Sequence, residues 1–349
     1  MRKQPITVRL PKNIVNALTT KAEEETKRTG KTVTKSDFLR EIVSDWARDL
    51  DTRNETEDFA IQESCTLDID MEQLAQDFIG GSSINESSKK LSNWMQNIVE
   101  KRSIGRKLLS VDELPQGALA RYDKKNKDVH ITSRRQALPD TITEGKDVVI
   151  PTFEIACAPH VGLEDIFQQR KKIIEKELIK GAYALCQEET RNVIYLLEYA
   201  ASCCNNEKVV RGLTWEHIIN AMSRLNGEPG TVVVSLNNYL LLKDIVETDT
   251  KANKYCDLVL DDEELDEILS ISSEIKPVGK IKKSNIFISD IVNNKIMFVT
   301  KSPGTMPIRE KGTIIFNTDP KQLQFSFVFY ESIGMIVYDG CCSTIEIKR

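Results

Sequence analysis

Between Leu163 and Ala201 the chain has no proline. Ile166, Ile173, Ile174, Leu178, Ala182, Leu185, Val193, Leu196, Leu197 and Ala200 recur there on related helical faces. A helix of roughly 40 residues spans about 60 Å if unbroken. Such a rod suits a flat, extended subunit better than a compact enzyme. Gly181 is the position at which it is expected to bend.

Strand patterns surround the rod. Ala118 to Tyr122, the charged turn Asp123 to Asp128 and Val129 to Thr132 read as a hairpin with a polar, projecting tip. Residues 133–136 and 143–146 continue the polar arm, and Val148 to Ala156 returns to a strand. Beyond the rod, Thr214 caps a helix over Trp215 to Leu225. Gly230 to Ser235 is a short buried strand, and Asn238 to Val246 is another helix. Residues 277–282, 286–288, 295–299, 322–329, 334–338 and 343–347 read as strands. Upstream, Met71 to Ile79 and Leu91 to Lys101 read as helices, the second with an apolar face of Leu91, Trp94, Met95 and Ile98. The fold class is α+β.

The first fifty residues have a different character. Ile6, Val8 and Leu10 alternate with Thr7 and Arg9 in the period of a half-buried strand, which Pro11 ends. Helical patterns follow over Asn13 to Arg28 and from Thr34 or Ser36 onward, the latter with Phe38, Leu39, Ile42, Val43 and Trp46 in one stripe. One strand and two helices of this size bury little core alone. The segment resembles the ribbon-helix-helix family, whose strands pair across a dimer and enter the DNA major groove. The resemblance implies DNA contact by Thr7 and Arg9, phosphate contact by Arg2, Lys3 and Lys12, and a phosphate site near Ser36 at a helix N-terminus. The alternative is a dimerising arm with a solvated strand. Asp51 to Glu63 is polar and acidic, as linkers are.

At 349 residues the chain is too long for one ordinary domain. No apolar run reaches membrane-spanning length, and Met1 to Leu10 lacks a signal-peptide core, so neither a membrane nor an export route is expected. Net charge is −5, which leaves any nucleic-acid contact to a local patch. The eight cysteines include adjacent pairs at 203–204 and 341–342, with no C-x-x-C, and the three histidines lack zinc-finger spacing. Free thiols and no metal are expected. Cys157 and His160 flank Pro159 with no third group in sight, so no catalytic residue is assigned. The acidic run Asp257 to Glu267 lacks the spacing of a calcium loop, and Lys301 to Gly304 is a turn without phosphate-loop spacing. No cofactor is expected.

A second resemblance covers roughly Ser103 to Arg349. Glu144-Gly, then Pro151-Thr-Phe-Glu-Ile-Ala-Cys-Ala-Pro159, then a long helix carrying Glu188-Glu189 and Leu196-Leu197, is similar to the passage from extended loop to spine helix in tailed-bacteriophage major capsid proteins of the Hong Kong 97-like fold. Phe329-Tyr-Glu-Ser-Ile-Gly-Met-Ile-Val-Tyr338 resembles that family's closing strands, where an E-x-I-G-M turn recurs. The implied organisation is a ribbon-helix-helix-like module over 1–50, a linker and helical arm over 51–102, and a shell domain over 103–349. Within the last, 117–150 is the extended loop, 163–203 the spine helix, 214–312 the axial α/β domain and 313–349 the closing strands.

The resemblance further implies that the loop lies over a neighbouring copy, with Arg121, Tyr122, Arg134 and Arg135 as subunit contacts. It implies self-assembly through pentamers and hexamers into an icosahedral shell around DNA, a virion capsid built in the bacterial host cytoplasm. Scaffold and portal proteins are the further partners implied. Some shells of the family crosslink a loop lysine to a late asparagine; Lys124, Lys125, Lys127, Lys146 and Asn317 are of the right types. The competing readings are a ribbon-helix-helix transcriptional regulator with a large C-terminal domain and an encapsulin-like nanocompartment shell.

Overall fold

The computed structural model describes residues 86–115, 117–124, 127–132, 139–162, 171–259, 263, 265, 274–319 and 324–348. The chain divides into two units, Met1–Thr66 and Leu67–Arg349, and every described residue belongs to the second. The ribbon-helix-helix reading of 1–50, the linker and the helix expected over Met71 to Ile79 lie outside the described residues.

Helix α1 (Glu86–Arg102) begins with an acidic turn and ends on Lys101 and Arg102, which complements its dipole. Leu91, Met95, Ile98 and Val99 fall at helical spacing and are buried. Sequence alone left open whether this face meets another copy or its own chain. It packs on its own chain, against the long helix and a long strand described below. A short helix α2 (Ile104–Leu108) follows, its N-terminus capped by Ser103 Oγ, which accepts from the Arg106 N–H at 3.3 Å.

Strands β1 (Ser110–Glu113), β2 (Arg121–Asp123), β3 (Val129–Ile131), β4 (Asp140–Ile142) and β5 (Asp147–Val149) come next. The hairpin expected between 118–122 and 129–132 is not formed. Instead β3 pairs with β4 and β2 pairs with β5, one ladder nested inside the other. Three-residue strands carry too little alternation to reveal their partners. Burial decides it: this pairing joins Ala120, Val148 and Ile150 with Val129 and Ile131 in one small core.

Strands β6 (Phe153–Cys157) and β7 (His160–Gly162) lead to helix α3 (Lys171–Cys203), 33 residues and about 50 Å long. It runs through Gly181 without interruption. The glycine serves contact there: a Cβ would lie 3.0 Å from Pro159 Cγ and 3.4 Å from Cys157 Sγ.

Then follow β8 (Glu207–Val210), α4 (Trp215–Ser223), β9 (Pro229–Val234), α5 (Leu236–Thr248), α6 (Thr250–Tyr255), β10 (Cys256–Leu258), β11 (Gly279–Ile281), β12 (Ser284–Ile288) and β13 (Lys295–Thr300). Thr214 caps α4 as expected, its hydroxyl accepting from the His217 N–H at 3.4 Å. Thr214→Ala should therefore cost about 1 kcal/mol in urea unfolding, and Thr214→Ser almost nothing.

The chain closes with β14 (Gly304–Asp319), β15 (Gln324–Ile333), β16 (Ile336–Tyr338) and β17 (Cys342–Ile347). The sequence reading missed β14. Pro307, the charged Arg309-Glu310-Lys311 and two register shifts between Ile308 and Thr313 break its alternation.

Two sheets organise these strands. The eight-stranded sheet runs β4-β3-β16-β14-β15-β6, with β1 on β14 and β7 on β15. The seven-stranded sheet runs β10-β11-β12-β9-β13-β17-β8. Val232, Val234, Ile286, Ile296, Phe298 and Ile345 of the latter share a core with Trp215, Ile218, Tyr239 and Leu242 of α4 and α5. The division expected at residue 313 does not coincide with these sheets. β14 starts before it, and β17 returns to the seven-stranded sheet between β13 and β8.

Candidate functional site: a buried ion-pair hub and an exposed ribbon

Arg106 lies in the one turn where α2 meets α3 and β15. Its Nε donates to Glu189 Oε1 at 2.8 Å, and its Nη2 donates to both oxygens of Glu331 at 2.7 and 2.8 Å. The three side chains are 4%, 0% and 1% exposed. They come from positions 83 and 225 residues apart in sequence. Ser103 fixes the start of α2, and the Gly105 N–H donates to Thr190 Oγ1 at 3.3 Å, so the turn carrying Arg106 is tied to α3 next to the guanidinium.

The electrostatics follow from two acids facing one base in a dry place. Burial alone would favour loss of the Arg106 proton, but Glu189 and Glu331 outweigh it and hold the guanidinium charged. Burial pushes Glu189 up to about 7; the charge of Glu331 adds to this, and Arg106 opposes it. Oε2 of Glu189 has no hydrogen-bond partner of good geometry, although the Ser103 hydroxyl lies close enough to favour the charged form.

Nearby thiols respond to the same environment. Burial pushes Cys157 up to about 12, with Glu331 adding to it, and burial likewise raises Cys186. Both thiols are therefore held in their un-ionised, weakly nucleophilic form. His160 Nδ1 has Ser326 Oγ as its partner at 2.8 Å. The seven cysteines at described positions are free. Among the described residues no group of three or more His, Cys, Asp or Glu is arranged to hold a metal.

A second buried anchor fastens the β3–β4 ladder. His130 is fully buried, with Nδ1 3.0 Å from Thr141 Oγ1 and Nε2 3.1 Å from Asp339 Oδ1. Its ring stands edge-on to Tyr199 near the end of α3. Cys204 Sγ donates to the same Asp339 oxygen at 2.8 Å. Strand, helix end and the turn after β16 are thus tied at one point.

The β2–β5 ribbon separates two residues expected to act together. Tyr122 faces inward, half-buried, and its hydroxyl donates to Asp112. Burial first, and then that carboxylate, push its pKa up. Arg121 faces outward, 3.8 Å from Asp147, beside Leu119 and Val149, which are 72% and 47% exposed. Strand alternation makes this split unavoidable for adjacent residues. Arg134 and Arg135 lie outside the described residues, as do Arg2, Lys3, Thr7, Arg9, Lys12 and Ser36.

Sequence reasoning had picked out Glu189 and Glu331 as motif residues without a role, and it missed Arg106 altogether. No spacing rule points to that arginine, because its partners are distant in sequence.

No protein-family model matches the chain, and no curated protein matches it. Solved structures similar to it include one from Mycobacterium phage Bobi, at 12% identity and TM-score 0.48, covering 71% of this chain and 91% of that one. A virus-like particle from Pyrococcus furiosus matches at 18% identity and TM-score 0.44, covering 75% and 100%. The holo-SrpI encapsulin complex from Synechococcus elongatus matches at 10% identity and TM-score 0.43, covering 69% and 85%.

Proposed function

We propose that the chain is a shell-building subunit with a Hong Kong 97-like plan, the major capsid protein of a tailed bacteriophage or prophage. The observation that carries this reading is the order of elements along the chain. Nested strands over 121–149, the 33-residue α3, the α/β elements from β8 to β13 and the long β14–β15 hairpin follow one another along the chain, and the resemblance implies a comparable series of loop, spine helix, axial domain and closing strands. In this reading 117–150 is the loop that lies over a neighbouring copy, α3 is the spine, and the α/β sheet packs around five- and six-fold axes.

The exposed side of the ribbon supports the loop's part in this. Leu119 and Val149 present apolar surface beside the paired charges of Arg121 and Asp147. An apolar pair rimmed by charge suits a contact between copies. Each contact can be weak because closed rings and shells use many of them together. The N-terminal segment, with Arg2, Lys3, Thr7, Arg9, Lys12 and Ser36, is assigned to DNA on its sequence pattern. Scaffold and portal proteins, and assembly in a bacterial cytoplasm, belong to the same reading. No helix among the described residues is long and apolar enough to cross a membrane.

Electron microscopy of the purified chain, with its mass by light scattering, tests the proposal. Shells, tubes or five- and six-membered rings are expected. A uniform dimer that binds one DNA sequence tightly would overturn the proposal in favour of a ribbon-helix-helix regulator. Shells that enclose protein and no nucleic acid would point to an encapsulin-like compartment. Leu119→Asp with Val149→Asp should abolish particles while leaving thermal unfolding of the subunit within about 1 kcal/mol of the parent, because both positions are exposed.

A further inference from the structure

Two carboxylates meet one guanidinium at the Arg106 hub, so the cluster carries an excess negative charge if both are ionised. Charge without a partner is costly where all three side chains are at most 4% exposed. Among the described residues, the groups that face Glu189 offer no second strong cation in contact with it. Arg106 and Ser103 approach from α2 and its cap, Glu331 from β15, and Cys186 from the preceding turn of α3. Arg102 of α1 acts at longer range on Cys186 and lies 4.5 Å above the centre of the Tyr183 ring. Cys157 of β6 lies on the Glu331 side. Thr190 is occupied by the Gly105 N–H.

We propose that the hub holds one exchangeable proton on its carboxylate pair and acts as a pH-sensitive latch fastening residues 86–108 to α3 and β15. With the proton bound, the hub is neutral and all three elements are drawn together. When the proton leaves to solvent, the second carboxylate charge is trapped in the dry junction, and the cheapest relief is to let water in by loosening α2. The latch works within a single subunit, so it does not depend on assembly.

The sign follows from the direction of the Glu189 shift. Its folded-state pKa lies above the ordinary carboxylate value, so the proton's contribution to stability is complete below about pH 4.5. It is lost as pH rises through about 7. The opening equilibrium of the 86–108 segment should rise on the order of a hundred-fold between about pH 5 and pH 8.

Amide hydrogen exchange on the full chain, corrected for intrinsic rates, measures this at Ile104–Leu108. Wild type should lose protection across that interval, while Glu189→Gln, neutral at every pH, should show the same protection at both ends. Equal pH dependence in wild type and variant would overturn the latch, as would protection that grows with pH. Should the glutamine variant fail to fold, infrared spectroscopy of the wild type decides instead. A buried protonated-carboxyl band near pH 5.5 that vanishes by about pH 8.5 supports the proposal, and its absence at the lower pH rejects it.

Discussion

Arg106→Met should destabilise the subunit by about 3–5 kcal/mol, the cost of leaving buried charge without its partner. Among the described residues, Arg106 is the strong cation paired with both Glu189 and Glu331, and both carboxylates are at most 1% exposed. Methionine matches the stem but supplies no donor. The loss should shrink if Glu189→Gln and Glu331→Gln are added, because the remaining groups are then neutral. Replacing all three with apolar side chains of similar total volume should come within a few kcal/mol of wild type or exceed it. Urea unfolding of the four proteins near neutral pH checks this series. A single arginine variant as stable as its parent would show that the hub is hydrated and that its geometry contributes little.

Gly304→Ala should cost about 3 kcal/mol, the upper end for overpacking, because the clash is with backbone. A Cβ on Gly304 would run into the Ile336 carbonyl oxygen and lie 2.8 Å from Val337 Cα. Gly304 pairs with Val337 and Thr305 with Ile336, so the strands cannot both keep register and make room. The effect should spread along the sheet. β16 also carries β3, through Ile336 with Ile131, Val337 with His130 and Tyr338 with Val129. Limited proteolysis within 121–149 should accelerate along with the loss of stability. Gly212→Ala is the control: an added Cβ there meets nothing within 4 Å, and the change should be within about 0.5 kcal/mol. Proteolysis unchanged by Gly304→Ala would show that β3 and β4 hold their place without β16.

The elements with long, regular periods were legible in advance. From Lys171 onward the α3 pattern appears where the sequence placed it, residues 163–170 of that expectation lying outside the described residues. The Thr214 cap, the buried Val232-Val233-Val234 run and the strands at 322–329, 334–338 and 343–347 appear within a few residues of their expected places. Their signals are local, since apolar spacing and capping chemistry act within a few turns. Pairing was not legible. The strands of 121–149 chose partners by shared burial, and β14 hid its alternation behind a proline, three charged residues and two bulges. Side-chain direction was not legible either: Arg121 and Tyr122, named together as subunit contacts, face opposite ways on their strand.

By itself the sequence determined the α+β class, the long helix and the strands and helices with regular alternation, because those depend on periodicities that each segment carries within it. Only the tertiary structure decided that Arg106 would meet Glu189 and Glu331, that β17 would join the seven-stranded sheet, and that His130 would be buried against Asp339. Those outcomes depend on which distant segments exclude water together. That selection is made by packing and by the cost of unpaired buried charge, and neither quantity is written in any local stretch of chain.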